Sequence, residues 1–347
     1  VNRDAAVEPV IALDAMGGDD APKQIVQGAV DAARGLEVRV ALVGREDVVR
    51  AELASTGYNG DLIEVVPASE VIEMEETPAL AARQKKDSSI VVGLKLVKEG
   101  RASAFVSAGN TGAVMAGAIM YLGRVRGIER PSLVGLMPLS GRLVSFLDVG
   151  ANADCRPSYL LQFAQMAAAY MEKVWKVERP EVALLNIGEE KSKGSTLTQE
   201  TYELLAASGL NFVGNIEGRD VPMGKVDVIV TDGFTGNVVV KTMEGMAAYI
   251  QGELRKAIKS RPWYAAAGLA LLPAFGKMRK TLDYREYGAG PLLGINGLVF
   301  IGHGSSDARA IYSALRVARE AVLSGMLEAI RDVVPAEPVA SPRGGSR

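Results

Sequence analysis

Cysteine occurs once, as Cys155, and histidine once, as His303, in a chain of 347 residues. A disulfide within the chain therefore cannot form, and a zinc site of several thiolates and imidazoles cannot be assembled from one copy. No metal is expected. A dominant charge is also missing: 39 Lys and Arg against 41 Asp and Glu leave −2. With no global basic field to neutralise phosphates, nucleic-acid binding is not expected. No apolar run reaches about 18 residues, and no charged n-region followed by an apolar stretch opens the sequence. Neither spanning nor secretion is indicated, and the expected setting is a reducing cytoplasm. A Walker A loop, a G-x-G-x-x-G fingerprint and a G-x-S-x-G elbow are all absent, so neither a nucleotide cofactor nor a serine hydrolase is signalled.

Glycine, by contrast, is abundant, with 38 residues, and short apolar runs alternate with amphipathic, helix-length segments. That rhythm predicts an α/β fold with a mostly parallel sheet. Strands are expected at Pro9–Asp14, Val38–Val43, Ala102–Val106, Leu133–Met137, Leu143–Asp148, Val182–Ile187 and Val226–Val230, each running into a Gly/Asn/Asp loop and then a helix. Ser88 should cap one helix, with Gly100 as its stop. Another helix should start near Thr111, and a last one should run from beyond His303 to about Asp332. At roughly 100 to 200 residues per domain, the chain suits a single two-lobed unit over residues 9–332. The tail 335–347 (PAEPVASPRGGSR) has the composition of a disordered segment.

Five loops stand out: Asp14–Asp19 (DAMGGD), Ser107–Gly112 (SAGNTG), Asp148–Asn152 (DVGAN), Asn186–Gly194 (NIGEEKSKG) and Thr231–Asn237 (TDGFTGN). Glycine lets backbone N–H groups converge on an anion, and a following helix N-terminus adds partial positive charge. In open α/β sheets ligands bind at these strand ends. Any one such loop is more often a plain βα connection; five together favour a site. Lys191 and Lys193 sit beside Glu189 and Glu190, where a lysine can meet an anion or belong to a solvated charge cluster. Thr196 and Gln199 form a possible capping box. Asp232 and Asn237 offer a carboxylate and an amide, or a turn bonded to its own backbone.

His303 is the one side chain whose ordinary pKa would let it change charge near neutral pH. A Ser-His-Asp arrangement with Ser305 or Ser306 is conceivable. Cys155, beside Arg156, is either a thiol of lowered pKa or, more commonly, a buried inert residue. A separate segment, about 251–285, is apolar between basic shoulders: from Gln251 to Lys280 seven cations face one acid, Glu253. Its tip, with Trp263, Leu269, Leu271, Leu272 and Phe275, suits an anionic membrane surface or, equally, a hairpin in the core or in an interface between copies.

In order along residues 9–332, the strings IALDAMGGD, SAGNTG, NIGEE with Lys193-Gly194, TDGFTGN and HGSS resemble the bacterial phosphate acyltransferase (PlsX) family. The resemblance implies a Rossmann-like three-layer α/β/α fold, similar to the phosphate acetyltransferase and isopropylmalate dehydrogenase group. It implies transfer of a long-chain acyl group from acyl carrier protein to inorganic phosphate for phospholipid synthesis, without a cofactor. It further implies a homodimer, cytoplasmic and peripherally bound to the inner face of the membrane, near the membrane glycerol-3-phosphate acyltransferase. Ser195 departs from the Asn that often follows Lys-Gly in the family.

Such chemistry needs no serine or cysteine nucleophile, because phosphate is already ionised; it needs a cradle that holds two reactants together. The expected oxyanion donors are Lys193, Asn186 and Asn237. Phosphate is expected at the backbone of Gly17, Gly18, Asn110, Thr111 and Gly112, with Asp14 and Asp232 orienting the donors and His303 protonating the leaving thiolate. An acidic carrier calls for a basic patch, either Arg83, Lys85 and Lys86 or Arg124, Arg126 and Arg130. An acyl groove could come from the helix after Thr111 or from Leu160–Met171, although core packing explains both equally well. The alternatives are a short-chain phosphate acetyltransferase using coenzyme A, a metal- and nicotinamide-dependent dehydrogenase of the same fold group, and a non-enzymatic regulator that binds acyl carrier protein.

Overall fold

Strands of four to six apolar residues alternate with helices of two to eight turns along most of the chain. The computed structural model describes residues 8–261, 263–264 and 288–333. The elements are, in order, β1 (Val10–Asp14), α1 (Lys23–Leu36), β2 (Arg39–Gly44), α2 (Glu46–Ser55), β3 (Ile63–Pro67), α3 (Pro78–Gln84), α4 (Ser89–Lys98), β4 (Ala104–Ser107) and α5 (Thr111–Tyr121). There follow β5 (Ser132–Leu133), β6 (Gly135–Leu139), β7 (Arg142–Leu147), α6 (Pro157–Lys173), β8 (Val182–Asn186), α7 (Thr196–Ala206), β9 (Phe212–Glu217) and β10 (Val228–Val230). The chain continues with α8 (Gly233–Lys259), β11 (Ala289–Leu293), β12 (Leu298–Gly302), α9 (Ala308–Leu323) and α10 (Met326–Val333).

The strands form two sheets. The first has the order β3-β2-β1-β4-β12-β11-β5 and the second β6-β7-β10-β8-β9. Strands β3, β2, β1, β4 and β12 run parallel, as do β7, β10, β8 and β9. Parallel strands are covered on both faces, which is why β1 and β10 are almost wholly apolar and buried. In the first sheet the chain moves outward from β1 to β2 and β3, then returns to place β4 on the other side. The turn after β1 and the turn after β4 thus flank a crevice.

One apolar core joins the sheets: Leu13, Val106 and Phe300 from the first share it with Leu147, Leu184 and Val230 from the second. Helix α6 packs on the second sheet, against β7 and β10, and against α7 and α10. Its Leu160, Phe163, Met166, Tyr170 and Met171 are all essentially sealed from solvent, so Leu160–Met171 is core and not an acyl groove.

Four sequence expectations are corrected. The strand expected at Leu133–Met137 is two strands. β5 pairs with β11 in the first sheet, and β6 pairs with β7 as an antiparallel hairpin in the second, because the chain crosses between sheets at Val134. The helix expected to run to Asp332 is broken between α9 and α10, where Gly325 takes φ of 67° and stops the first helix. The cap of α7 lies one residue earlier than expected: the Ser195 hydroxyl accepts from the Thr198 N–H, and Gln199 turns back onto the Ser192 and Gly194 carbonyls. β3, β9, β11, β12 and α3 were not expected at all; β3 alternates weakly and α3 has only seven residues. Ser88 does cap α4, and Gly100 follows it with φ of 69°.

Candidate active site

The first cluster of loops is organised by a buried carboxylate. Asp14, at the end of β1, accepts from the Met16 N–H (3.0 Å) and from the Ser107 hydroxyl at the end of β4 (2.7 Å). Burial pushes its pKa up, and hydrogen bonds from Ser89, Ser107, Met16 and Gly17 oppose that rise. Asp14 ties two loops together and does not face outward. Gly17 lies against the second loop so closely that a Cβ would stand 2.6 Å from the Gly109 nitrogen, and the Asp19 N–H reaches the Gly304 carbonyl at 2.8 Å. The turns after β1, β4 and β12 therefore meet.

Asn110 has no free side-chain role. Its Oδ1 caps α5 at the Ala113 N–H, and its Nδ2 holds the carbonyls of Glu73, Met74 and Glu76. A Cβ on Gly17 would also press on Asp14 Oδ2, so the buried carboxylate lies directly beneath this turn. Thr111 and Gly112 open α5, where backbone N–H groups have no intrahelical acceptor.

A second buried carboxylate organises the other sheet. Asp148, after β7, accepts from the backbone of Leu133, Gly150, Ala151 and Asn152 and from the Asn152 side chain at 2.7–3.3 Å. Burial again pushes its pKa up. The loop of α8 presses on this turn: a Cβ on Gly233 would stand 2.6 Å from the Asn152 carbonyl, and one on Gly236 would collide with the Asp148 carbonyl. Asp232 caps α8 through the Thr235 N–H (2.8 Å) and hydroxyl (2.7 Å). Asn237 sits at Gly150, whose Cβ would lie 3.2 Å from Asn237 Nδ2.

The loop after β8 is braced from within. Asn186 donates to the Lys193 carbonyl (3.1 Å) and accepts from the Ile187 N–H (2.8 Å), so it shapes the turn. Asn215, not singled out in the sequence, holds the Glu190 carbonyl from β9 (3.1 Å). Lys191 turns away to Glu203 (2.7 Å), which raises its pKa. The exposed Lys193 ammonium has no hydrogen-bond or ion-pair partner among the described residues, and no hydrogen bond joins it to the other loops.

Helix α8 spans the two clusters. It starts at the second sheet, yet Lys241 Nζ lies 3.3 Å from His303 Nε2, at the end of β12 in the first sheet. Asn237 and Lys241 are four residues apart and so share one helix face. On its other side the imidazole meets Ser305, whose hydroxyl is 2.8 Å and backbone N–H 3.2 Å from Nδ1. An ammonium only donates, and a neutral imidazole offers one lone pair. Opposite Ser305 the ring thus faces a lysine, itself paired with Glu244 (2.8 Å), where a Ser-His-Asp triad would place a carboxylate. Lys241 was missed because an isolated lysine on a helix carries no motif; its spacing from Asn237 was the available signal.

The remaining expected residues fall elsewhere. Cys155 is half-buried near the start of α8, and burial pushes its thiol up to about 12, excluding an activated thiolate. Trp263 is exposed, with Arg261 against its ring; Leu269, Leu271, Leu272 and Phe275 lie outside the described residues. Among the described residues no group of three His, Cys, Asp or Glu side chains could hold a metal ion, and no helix is long and apolar enough to cross a membrane.

Two mostly parallel sheets whose strand ends present glycine-rich turns, amides and lysines make an α/β fold that solved structures share. A phosphotransacetylase from Streptococcus pyogenes superposes with a TM-score of 0.62 at 18% identity, covering 91% of this chain and 94% of that one. A 4-hydroxythreonine-4-phosphate dehydrogenase from Klebsiella pneumoniae gives 0.53 at 12% identity, over 92% and 99%. These likenesses agree with the three-layer, mostly parallel fold expected from the sequence. Residues 10–329 match the family described as Fatty acid synthesis protein, and the chain belongs to it. Relatives named phosphate acyltransferase are 51% identical in Dictyoglomus turgidum, over 90% of this chain and 94% of that one. The relative in Heliobacterium modesticaldum is 50% identical, over 95% and 99%.

Proposed function

We propose that this chain is a phosphate acyltransferase that moves a long-chain fatty acyl group from acyl carrier protein to inorganic phosphate. The relatives that share half of its residues carry that enzyme's name, which supports acyl transfer to phosphate. The structural observation that carries the reading is the reach of α8 into both loop clusters through Asn237 and Lys241.

In this reading phosphate sits at the Gly18, Thr111 and Gly112 backbone, with the Lys241 ammonium balancing its charge. A phosphate oxygen attacks the thioester carbonyl carbon, and the C–S bond breaks as the tetrahedral centre collapses. Lys193 and Asn237 donate to the transient oxyanion, while Asp14, Asp148, Asp232, Asn110 and Asn186 hold the turns in place. The proton that hydrogenphosphate gives up as the acyl phosphate forms passes through His303 and Ser305 to the departing thiolate.

Peripheral membrane binding and dimerisation belong to the same proposal. Helix α8 leaves Met246, Tyr249, Ile250 and Leu254 exposed on neighbouring turns, a stripe that none of the described residues covers. Trp263 and Tyr264 extend the apolar surface beside Arg261. Contact with an anionic bilayer would deliver the acyl phosphate directly to a membrane acyltransferase.

The decisive experiment incubates the protein with palmitoyl acyl carrier protein, with and without phosphate, and follows free carrier thiol. Phosphate-dependent thiol release is expected; tight carrier binding without it would indicate a regulator. Equal or faster release from acetyl coenzyme A would favour the short-chain enzyme. For the membrane, sedimentation with anionic vesicles should be lost in Leu269→Glu/Leu271→Glu; unchanged sedimentation rejects that contact.

A further inference from the structure

Helices α3 and α5 lie side by side, and both begin at the phosphate-side turns. Pro78, in the first turn of α3, lies so close to Gly112 that a Cβ there would stand 2.6 Å from Pro78 Cγ. The Asn110 amide holds the carbonyls that lead into α3. At the far end Tyr121 reaches the Ala82 carbonyl. Between them is an open cavity of about 500 Å³ lined by Leu80, Arg83, Gln84, Lys86, Met120 and Tyr121.

The chemistry of this groove is uneven along its length. Leu80 and Met120 are 52% and 45% exposed, so its floor is apolar and open. Neither Arg83 nor Lys86 has a hydrogen-bond or ion-pair partner for its side chain among the described residues, and no acid lines the cavity. Lys85, between them in sequence, is different: it turns inward onto Glu76 (2.5 Å) and the Val71 carbonyl (2.6 Å). Lys95 adds a third cation at the same end, anchored on the Lys86 carbonyl (2.8 Å) and lying against the Tyr121 ring. Glu70, Glu76 and Asp87 lie at this same end but are already engaged: Glu76 pairs with Lys85, Glu70 accepts from the Asp87 N–H (3.0 Å), and the Asp87 carboxylate accepts from the Ser69 N–H and hydroxyl (2.9 and 2.6 Å), so none of them lines the cavity.

Resting on the reaction proposed above, we infer that this groove is the docking surface for the acidic acyl carrier. Arg83, Lys86 and Lys95 receive its carboxylates, and Leu80 and Met120 receive an apolar side chain from it. Charge complementarity selects this occupant over a second copy, whose matching groove would bring like charges together. The geometry also suits delivery. The eleven residues of α5 run about 16 Å, from the carrier at the Tyr121 end to the Thr111 turn. That is the distance its thioester-bearing arm would cross.

The test compares two donors on the charge-reversed variant Arg83→Glu/Lys86→Glu, using phosphate and either palmitoyl acyl carrier protein or palmitoyl pantetheine, which lacks the protein. With the carrier, kcat/KM is expected to fall at least about tenfold, mainly through KM, with a weaker salt dependence. With the pantetheine thioester it should stay within about twofold. Leu80→Asp should repeat this split without reversing a cation. An unchanged carrier KM would place docking elsewhere, and equal losses with both donors would make the effect structural. A change in oligomeric state would assign the groove to a second copy. If the wild-type protein itself released no thiol from the carrier, the proposed reaction would fail, and with it the docking site. An active wild type with an indifferent variant would overturn the docking site alone.

Discussion

Lys241 Nζ lies 3.3 Å from His303 Nε2, and this contact joins a helix rooted in one sheet to a loop ending the other. A cation beside the ring, with Ser305 on its far nitrogen, suits a site that must hold a dianion and move one proton. It does not suit one that must ionise a serine.

Lys241→Ala is expected to slow phosphate-dependent thiol release about a hundredfold while leaving the fold intact, in line with the loss of one preorganised donor. His303→Ala should act on the same step. The double variant should then be little worse than the poorer single one, as for residues that work as a unit. Fully additive losses would separate the two residues.

Lys193→Ala should cut turnover at least about a hundredfold with an unchanged thermal midpoint. Its ammonium bonds nothing in the described structure, so removal leaves no buried partner behind. A near-normal rate would remove it from the mechanism.

Two glycines of α8 should respond oppositely to alanine. At Gly236 a Cβ would strike the Asp148 carbonyl, so Gly236→Ala should cost about 1–3 kcal/mol as overpacking does, and displace Asn237 and Lys241 with the helix. At Gly245 nothing stands within 4 Å, and Gly245→Ala should stabilise by up to about 1 kcal/mol through helix propensity. Thermal melts of both, with activity, provide the check.

Cys155, with its thiol pushed from 9.0 to about 12, should react with iodoacetamide near pH 8 roughly a thousandfold more slowly in the native protein than in urea. The reason is that the thiolate is the reactive species. The sign follows from burial, which disfavours the anion, so the native rate should keep rising with pH after the denatured rate has levelled off. Equal rates would show an exposed thiol.

Ser195→Ala should cost about 1 kcal/mol by removing the α7 cap. Ser195→Asn, the residue frequent at this position in the resembled family, should preserve stability, because asparagine caps as well as serine. Chemical denaturation distinguishes them.

The sequence itself determined the alternation of strands and helices, because burial on both faces forces unbroken apolar runs and helix faces repeat near every fourth residue. It also determined the glycine-rich turns, whose backbone freedom no other residue supplies, and the impossibility of a disulfide or of a zinc site of several thiolates and imidazoles within one chain. Tertiary structure decided what those turns face. Asp14, Asn110, Asn186 and Asp232 look like ligand contacts in a string, yet each binds its own loops. Lys241 carries no motif, yet it reaches His303 across 62 positions. The split of the Leu133–Met137 run between two sheets and the groove of α3 and α5 were likewise not legible. Each depends on which distant segments pack together, and local pattern records only a residue's own burial, not its partner.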